Sequence, residues 1–587
     1  MQTFLNAMTF PDKTVYPASS MIERDFYNLM LVYGDAVFSP LLKEEVFKQE
    51  GYHLEFEKNG DLTSGLKLVG VVYNEMKGNY SSPEYIASEN SFCSLFPDTV
   101  YGLDAGGNPK NIPDLTYDDF ISFHRKYYHP SNCKIFLYGN IPTLSHLEFL
   151  QENFFSKFSR LTVDSEIPCQ PRWPSPKKFE VTYPVKENDS LTRKSTVTVN
   201  WLTIPVTDPF KALSLEVLSE ILVGNAGAPL RKALIDSRLG EDMASATGLE
   251  TELKEVTFSV GLRGTDPQSL EPVEELVLDT LRQLKEKGVK EELVKSAIQR
   301  VEFRNREIKG GGAPYSLVLM RKALRGWLHG AEPERTLEFD GWMKELKKKA
   351  GEEDFFTTLI DENLLSNPHR STLLVRPDPG QTQREKSELT RRLKKFESGL
   401  SKQKKEEVVK SLEKLKKFQK NPDPPELLKS IPFLKLRDLP QQVEKIPSEK
   451  SLLSSGIPVY FHDIFTNGVI YIDLVFNTGG LPDEYSRLLP LFGKAVCGSG
   501  LPSIQYDEVA RMLSQYTGGF GYSLSASKKA DENPGKSEHL FFRLKILREN
   551  LGEGLSLIKK LLVEADFDDE KRFKDLILEL RNRLNAS

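Results

Sequence analysis

The chain has 587 residues, of which 39% are hydrophobic and 28% charged, with a formal net charge of −5. At roughly 100–200 residues per domain, that length predicts about three to four domains with ample apolar material for their cores. The acidic balance is mild, and the abundant Phe and Tyr do not interleave with Lys and Arg, which argues against nucleic acid as a partner.

Four scattered cysteines, Cys93, Cys133, Cys169 and Cys497, form no C-x-x-C and read as free thiols in a reducing compartment. No run approaches the ~18–20 apolar residues that a membrane span needs, so no membrane partner is expected. The first twelve residues carry no basic segment and no secretory pattern. The chain instead enters a strand-like run at residues 3–10, as if an upstream part were missing.

Four segments follow. Residues 1–160 mix strands and helices, with an apolar helical stretch at 26–38. Ser82 and Pro83 mark a helix start, because proline at the first helical position loses no hydrogen bond. Residues 134–139, KIFLYG, predict a short buried strand. Residues 165–378 alternate strands and helices. The strictly alternating runs 196–201 and 256–262 predict half-buried strands. Helices are predicted over 210–223, 273–284 and 291–303, with Gly288 stopping the second, and 371–376 closes the segment as a strand. A flexible, hinge-like connection is expected at Gly310–Gly312. The pattern predicts an α+β fold, a sheet with helices on one side.

Residues 380–435 are rich in Lys and Glu, with Leu393, Phe396, Val408, Leu412 and Leu415 at helical spacing. They predict a helical hairpin linking two halves, solvated on its charged faces. Residues 440–587 resume the earlier theme: a strand at 469–476, a helix at 488–496, a strand at 541–545 and helices near 547–564 and 568–584. The recurrence of strand then helix suggests a diverged internal repeat.

One local constellation carries chemistry. Residues 68–78, LVGVVYNEMKG, have helical spacing, with Leu68, Val71, Val72 and Met76 on one face and Glu75 on that same face. A carboxylate on a buried face costs several kcal/mol unless it is paired or bound to metal. Two readings stay open on spacing alone: a boundary residue paired with Lys or Arg, or a metal ligand.

The run 70–78, GVVYNEMKG, resembles the downstream glutamate motif of the pitrilysin-type inverzincins, in the form found in presequence proteases. Other runs fit the same family in order along the chain. They are 4–17 (FLNAMTFPDKTVYP), 26–29 (FYNL), 49–52 (QEGY), 96–101 (FPDTVY), 128–132 (YHPSN), 326–330 (GWLHG) and the neighbourhood of 488–491. The resemblance implies a zinc metalloendopeptidase built of repeated α/β-sandwich modules in two halves, degrading short unfolded peptides in a closed chamber. It implies Glu75 as the third zinc ligand, after the two histidines of an H-x-x-E-H whose glutamate is the general base. It also implies that Asn6, Ala7 and Met8 lie on the strand that pairs with substrate backbone, the Asn6 amide being placed to donate to a developing oxyanion. Relatives of this kind work as monomers in bacterial cytoplasm, mitochondrial matrix or plastid stroma.

The departure from the family is as specific as the match. None of the eight histidines belongs to an H-x-x-E-H or an H-E-x-x-H. His124 and His129 are five apart, and His129-Pro130 reads as a helix end. In the family the motif lies roughly a hundred residues before the glutamate. Only 74 residues precede Glu75. No catalytic residue is therefore assigned. The chain is expected to be a partial N-terminal peptidase domain (1–160), a second peptidase-like domain (165–378), a linker (380–435) and an incomplete third domain (440–587), inactive by itself. The alternative is a non-catalytic homologue that serves as a binding or scaffold subunit. The loop at Gly106-Gly107 lacks the Lys-Ser/Thr of a phosphate site.

Overall fold

The computed structural model describes residues 2–309, 313–443, 445–528 and 536–586. The expected Gly310–Gly312 connection lies outside the described residues. The chain forms two compact units: Met1–Val289 with Gly310–Val443, and Lys290–Lys309 with Glu444–Ser587.

The first unit is organised on a six-stranded mixed sheet. Its strands run in the order Gly248–Glu250, Glu255–Thr265, Ser195–Pro205, Arg370–Asp378, Lys177–Pro184, and Asp242–Met243 also pairs with Glu255–Thr265. All pairings are antiparallel except that of Arg370–Asp378 with Lys177–Pro184. The alternation at 196–201 and 256–262 predicts one wet face, yet both strands are buried on both faces. One face meets the helices Pro209–Val223 and Leu270–Lys287. There Trp201, fully buried, donates its indole N–H to the Leu364 carbonyl at 2.9 Å.

The other face carries Thr198 and Asn200, and the helix Pro83–Cys93 covers it. Ser91 and Thr198 hydroxyls lie 3.0 Å apart, and Asn200 Nδ2 donates to the hydroxyls of Thr198 and Ser371. Ser82 caps that helix, as its sequence predicts, by accepting from the Tyr85 amide. Ile86 and Ala87 pack on Tyr183, Leu373 and Val375, and the following Leu95 and Phe96 are wholly buried beside Leu202 and Leu253. Burial of each such large side chain contributes about 1.5–3 kcal/mol. Small hydroxyl residues here reflect a helix packed close to the sheet, not a surface facing water. His369, 0% exposed, locks the same joint. Its Nε2–H donates to the Leu95 carbonyl at 2.9 Å, its Nδ1 accepts from the Trp173 amide, and its ring stacks on Trp173.

Residues 2–160 contain only two-stranded pieces: Gln2–Leu5 with Ala18–Ser20, Met8–Thr9 with Thr14–Val15, and His53–Phe56 with Leu66–Val69. Residues 134–139, expected to be a strand, pair with no described strand; without a partner for its amides the apolar run stays irregular. The helix Glu23–Phe38 buries none of its residues fully. The α+β class is as the sequence predicts, with one sheet-and-helix sandwich around 177–378 and only two-stranded pieces in 2–160.

The linker forms the helices Gln381–Ser398 and Lys402–Lys420, the second capped by Ser401. It is more than a solvated pair. Leu412 and Leu415 are buried, Lys48 donates to Ser411 at 2.9 Å, Lys414 pairs with Glu45, and Arg392 pairs with Asp114.

The second unit has a three-stranded antiparallel sheet ordered Val469–Asn477, Lys536–Leu547, Gly519–Lys528. Leu544 and Ile546 pack on Leu557, Ile558 and Leu561 of the helix Leu551–Glu564 and on Val509 of Tyr506–Tyr516. Residues 290–309, grouped with 165–378 on sequence, pack in this unit. Phe303 of the helix Glu291–Arg306 lies against Val469 and Leu547, and Glu307 pairs with Lys545. A Cβ on Gly518 would stand 1.9 Å from the Phe303 ring, so only glycine permits this approach.

Candidate functional site

Glu75 sits on the helix Val71–Asn79. The strand Leu66–Val69 ends at Gly70, where a Cβ would fall 2.2 Å from the Gly51 carbonyl oxygen. That close passage sets where the helix begins, and so sets its phase. Leu68 belongs to the strand, opposite Leu54, and not to the helix. Tyr73 and Met76 form the buried face, against Ile112 with Tyr52, Tyr80 and Tyr85 around them. The loop at Gly106 presses on the same face, a Cβ there standing 2.4 Å from Met76 Sδ, which gives the Gly106-Gly107 pair a packing role.

Glu75 does share a face with Val71 and Val72, but that face is exposed, with Val71 at 52% and Val72 at 36%. The expectation of a buried apolar face is corrected: spacing shows only which residues share a face, and this helix buries the opposite side, with Tyr73 and Met76. Among the described residues, no ion pair or hydrogen bond engages the Glu75 carboxylate, so the paired-boundary reading has no partner.

Behind this helix lies an acidic cluster that sequence spacing did not reveal. Tyr85 donates to Asp104 at 2.8 Å, the Gly106 amide donates to the other Asp104 oxygen, and the Cys93 thiol lies 3.6 Å from Glu89. Burial, with the Asp104 charge nearby, pushes the Glu89 carboxyl up to about 7. Glu89 and Cys93 are one helical turn apart on a capped helix, but Asp104 arrives from a loop, and only the fold brings the three together.

Residues 3–10 do not form one strand. Gln2–Leu5 and Met8–Thr9 are separate, broken at Asn6-Ala7 because the Ala7 amide turns onto Asn6 Oδ1 at 2.9 Å. Asn6 donates its own amide to the Pro17 carbonyl, and its carbonyl accepts from the Tyr33 hydroxyl at 3.0 Å. Asn6 and Ala7 are exposed and Met8 half-buried. Each strand has one described neighbour, so its other edge is open. Glu75 and Asn6–Met8 therefore stand on separate elements, each fixed by its own packing.

All eight histidines have other partners. His53 donates to the Lys48 carbonyl, His124 to the Val37 carbonyl, and His462 to the Pro447 carbonyl. His129 accepts from the Ser131 amide just after the helix Tyr117–Tyr127, as expected of a helix end. His146 meets Tyr27, His329 meets Asp12, and His539 meets Ser537; His369 is described above. Among the described residues, no three His, Cys, Asp or Glu side chains are placed to hold a metal ion. The residues present do not make a zinc site. Among the described residues no helix is long and apolar enough to cross a membrane.

The family model described as "Peptidase M16 inactive domain" matches residues 114–301. A companion model, for the region associated with subfamily C of the same peptidases, matches residues 375–587. The Protein HypA of Clostridium perfringens is 35% identical over 100% of this chain and 60% of its own length. Presequence protease 1, chloroplastic/mitochondrial, of Arabidopsis thaliana is 35% identical over 100% of this chain and 54% of its own. A crystal structure of pitrilysin is similar at 14% identity with a TM-score of 0.46, over 99% of this chain and 57% of that one. The chain is thus similar along its whole length to peptidases of the M16 family of the presequence-protease type. It spans little more than half the length of the curated relatives it matches.

Proposed function

We propose that this chain is the part of a zinc metalloendopeptidase of the presequence-protease type that supplies one metal ligand, Glu75, and the substrate edge at Asn6, Ala7 and Met8. The two histidines and the general base would come from outside these 587 residues. The observation that carries this reading is the free carboxylate of Glu75. It stands on an exposed face with two valines, on a helix whose phase is locked from behind by Tyr73, Met76 and Gly70. A rigid helix that presents an unpaired acid beside apolar side chains suits a ligand awaiting a second surface. Catalytic zinc takes three protein ligands and keeps one position open. This chain offers one of the three, so no hydrolytic step is assigned to its own residues. The substrates would be targeting peptides and other short unfolded peptides held in a closed chamber by one zinc-bearing monomer. The compartment would be bacterial cytoplasm, mitochondrial matrix or plastid stroma.

The inactive-domain match over 114–301 favours a second reading, a peptidase-like binding or scaffold subunit. One experiment separates the two. The purified chain is assayed alone, and again after mixing with a polypeptide that carries the H-x-x-E-H region of a presequence protease. Zinc retained after gel filtration and cleavage of a fluorogenic unfolded peptide are measured. The peptidase reading expects neither signal from the chain alone, about one zinc per complex in the mixture, and loss of that zinc with Glu75→Gln. Stoichiometric zinc on the chain alone, or a mixture indifferent to Glu75→Gln, overturns it.

A further inference from the structure

Three of the sequence runs that carry the family resemblance, 4–17, 96–101 and 326–330, have no part in the metal reading, yet they meet at one side chain. Asp12, in the turn after Met8–Thr9, is buried to 2% exposure of its side chain. Its Oδ2 accepts from the Tyr101 hydroxyl at 2.8 Å and faces His329 Nε2 at 3.5 Å, and its Oδ1 faces Lys13 Nζ at 3.1 Å. Tyr101 in turn accepts from the Lys254 amide at 3.1 Å. Lys13 Nζ also donates to the Glu252 carbonyl at 2.9 Å, and the Glu252 carboxylate is held by Arg321 and Arg325 of the helix Tyr315–Trp327. Phe10 lies beneath both cations, 4.7 Å from Lys13 Nζ and 5.9 Å from the Arg321 guanidinium.

A buried carboxylate is costly unless several groups compensate it, and losing one partner leaves the others uncompensated. Burial pushes the Asp12 carboxyl up, but hydrogen bonds from His329, Lys13 and Tyr101 outweigh burial and hold it below the usual range. The arrangement pins one short turn, closed by the Phe10 amide on the Lys13 carbonyl at 2.8 Å, to three distant parts of the chain. A two-residue ladder such as Met8–Thr9 with Thr14–Val15 is marginal by itself. The anchor therefore acts on the element that most needs one.

We propose that Asp12 is a positioning residue for peptide recognition: through Tyr101, His329 and Lys13 it fixes the hairpin of Met8–Thr9 and Thr14–Val15, and with it the adjoining segment Asn6, Ala7 and Met8. This rests on the reading of that segment as the peptide-binding strand. Main-chain pairing of an added strand requires its template to hold register, so the anchor sets affinity without touching the peptide.

The test uses the full 587-residue chain with Asp12→Asn, Tyr101→Phe, His329→Ala and His329→Gln. Two quantities are read: amide hydrogen exchange over residues 6–10, with Glu255–Thr265 as internal control, and the affinity for a fluorescein-labelled unfolded peptide of about 20 residues by anisotropy. Asp12→Asn is expected to speed exchange at 6–10 and weaken peptide binding by about tenfold each, with the control strand unchanged. Tyr101→Phe and His329→Ala each remove one partner and are expected to weaken binding about threefold, while His329→Gln, which keeps an N–H donor, restores it. Where Asp12→Asn fails to fold, the Tyr101 and His329 variants decide the matter. Unchanged exchange at 6–10, or wild-type affinity with faster exchange, overturns the proposal alone. A wild-type chain that binds no peptide overturns the edge reading and the proposal with it.

Discussion

The sheet around Ser195–Pro205 and the helix carrying Glu75 treat similar sequence signals in opposite ways. In the sheet, alternating Thr, Val and Asn suggest a wet face, and the Pro83–Cys93 helix buries it. In the helix, clustered Val71, Val72 and Glu75 suggest a buried face, and it is open. Periodicity reports which residues share a face; what covers that face is decided elsewhere in the chain. The covered polar face engages Ser91, Thr198, Ser371 and the Asn200 Nδ2 in short contacts, whereas on the open face the Glu75 carboxylate meets no hydrogen-bond or ion-pair partner among the described residues.

Substitutions can sharpen that contrast. The largest effect is expected from Trp201→Ala, which empties a fully buried site and its hydrogen bond to Leu364; a loss of about 3–5 kcal/mol in denaturant unfolding of the first unit is expected. A loss under about 1 kcal/mol would mean that the sheet is not the core that its burial implies. Next is the His369 joint. Burial holds its imidazole down to about 4, so its contribution is present above the ordinary value of 6.5 and is lost as pH falls from there through 4. Unfolding midpoints compared at about pH 7.5 and 4.5 should show a drop of roughly 2–3 kcal/mol that His369→Asn reduces. An equal drop in the variant would locate the acid sensitivity elsewhere.

The Glu89 cluster has the reverse sign. Its carboxyl is raised from 4.5 to about 7, so the protonated form suits the fold: its contribution is full below 4.5 and is lost as pH rises from there through 7. Glu89→Gln should stabilise by roughly 1–2 kcal/mol at about pH 8.5, after allowance for partial solvent screening, and by little at about pH 5. A pH-independent change would remove Glu89 as the titrating group. The smallest effect is expected on the open face, where Val71→Ser with Val72→Ser should shift stability by less than about 0.5 kcal/mol. A larger loss would show that something covers those valines.

Element type was legible where pattern and punctuation agreed. Ser82-Pro83 and Gly288 mark true helix ends, and the long strands and helices of 195–306 fall where their periodicity puts them. The candidate site was marked in the sequence only by the motif around Glu75 and by residues 4–17. Spacing could not show that Leu68 belongs to a strand, because the helix begins at Gly70 for a reason of close backbone approach to Gly51. It could not join Asp104 to Glu89, or Asp12 to Tyr101 and His329, since those contacts cross long stretches of chain. Nor could it assign the helix Glu291–Arg306 to its neighbours, because its amphipathic face fits any apolar surface equally well.

That helix has a consequence for how the protein is made. Its face of Val294, Ala297, Ile298 and Val301 is buried in the finished fold, yet it is synthesised well before the sheet it packs with. Its partners near Val469 follow roughly 160 residues later, on the order of ten to thirty seconds at ordinary elongation rates. During that interval Phe303 lacks the Val469 and Leu547 side chains that cover it in the fold, and a fragment ending near residue 435 would lack them permanently. The second unit is thus assembled by recruiting a strip of chain made long before it, and its folding begins with a wait.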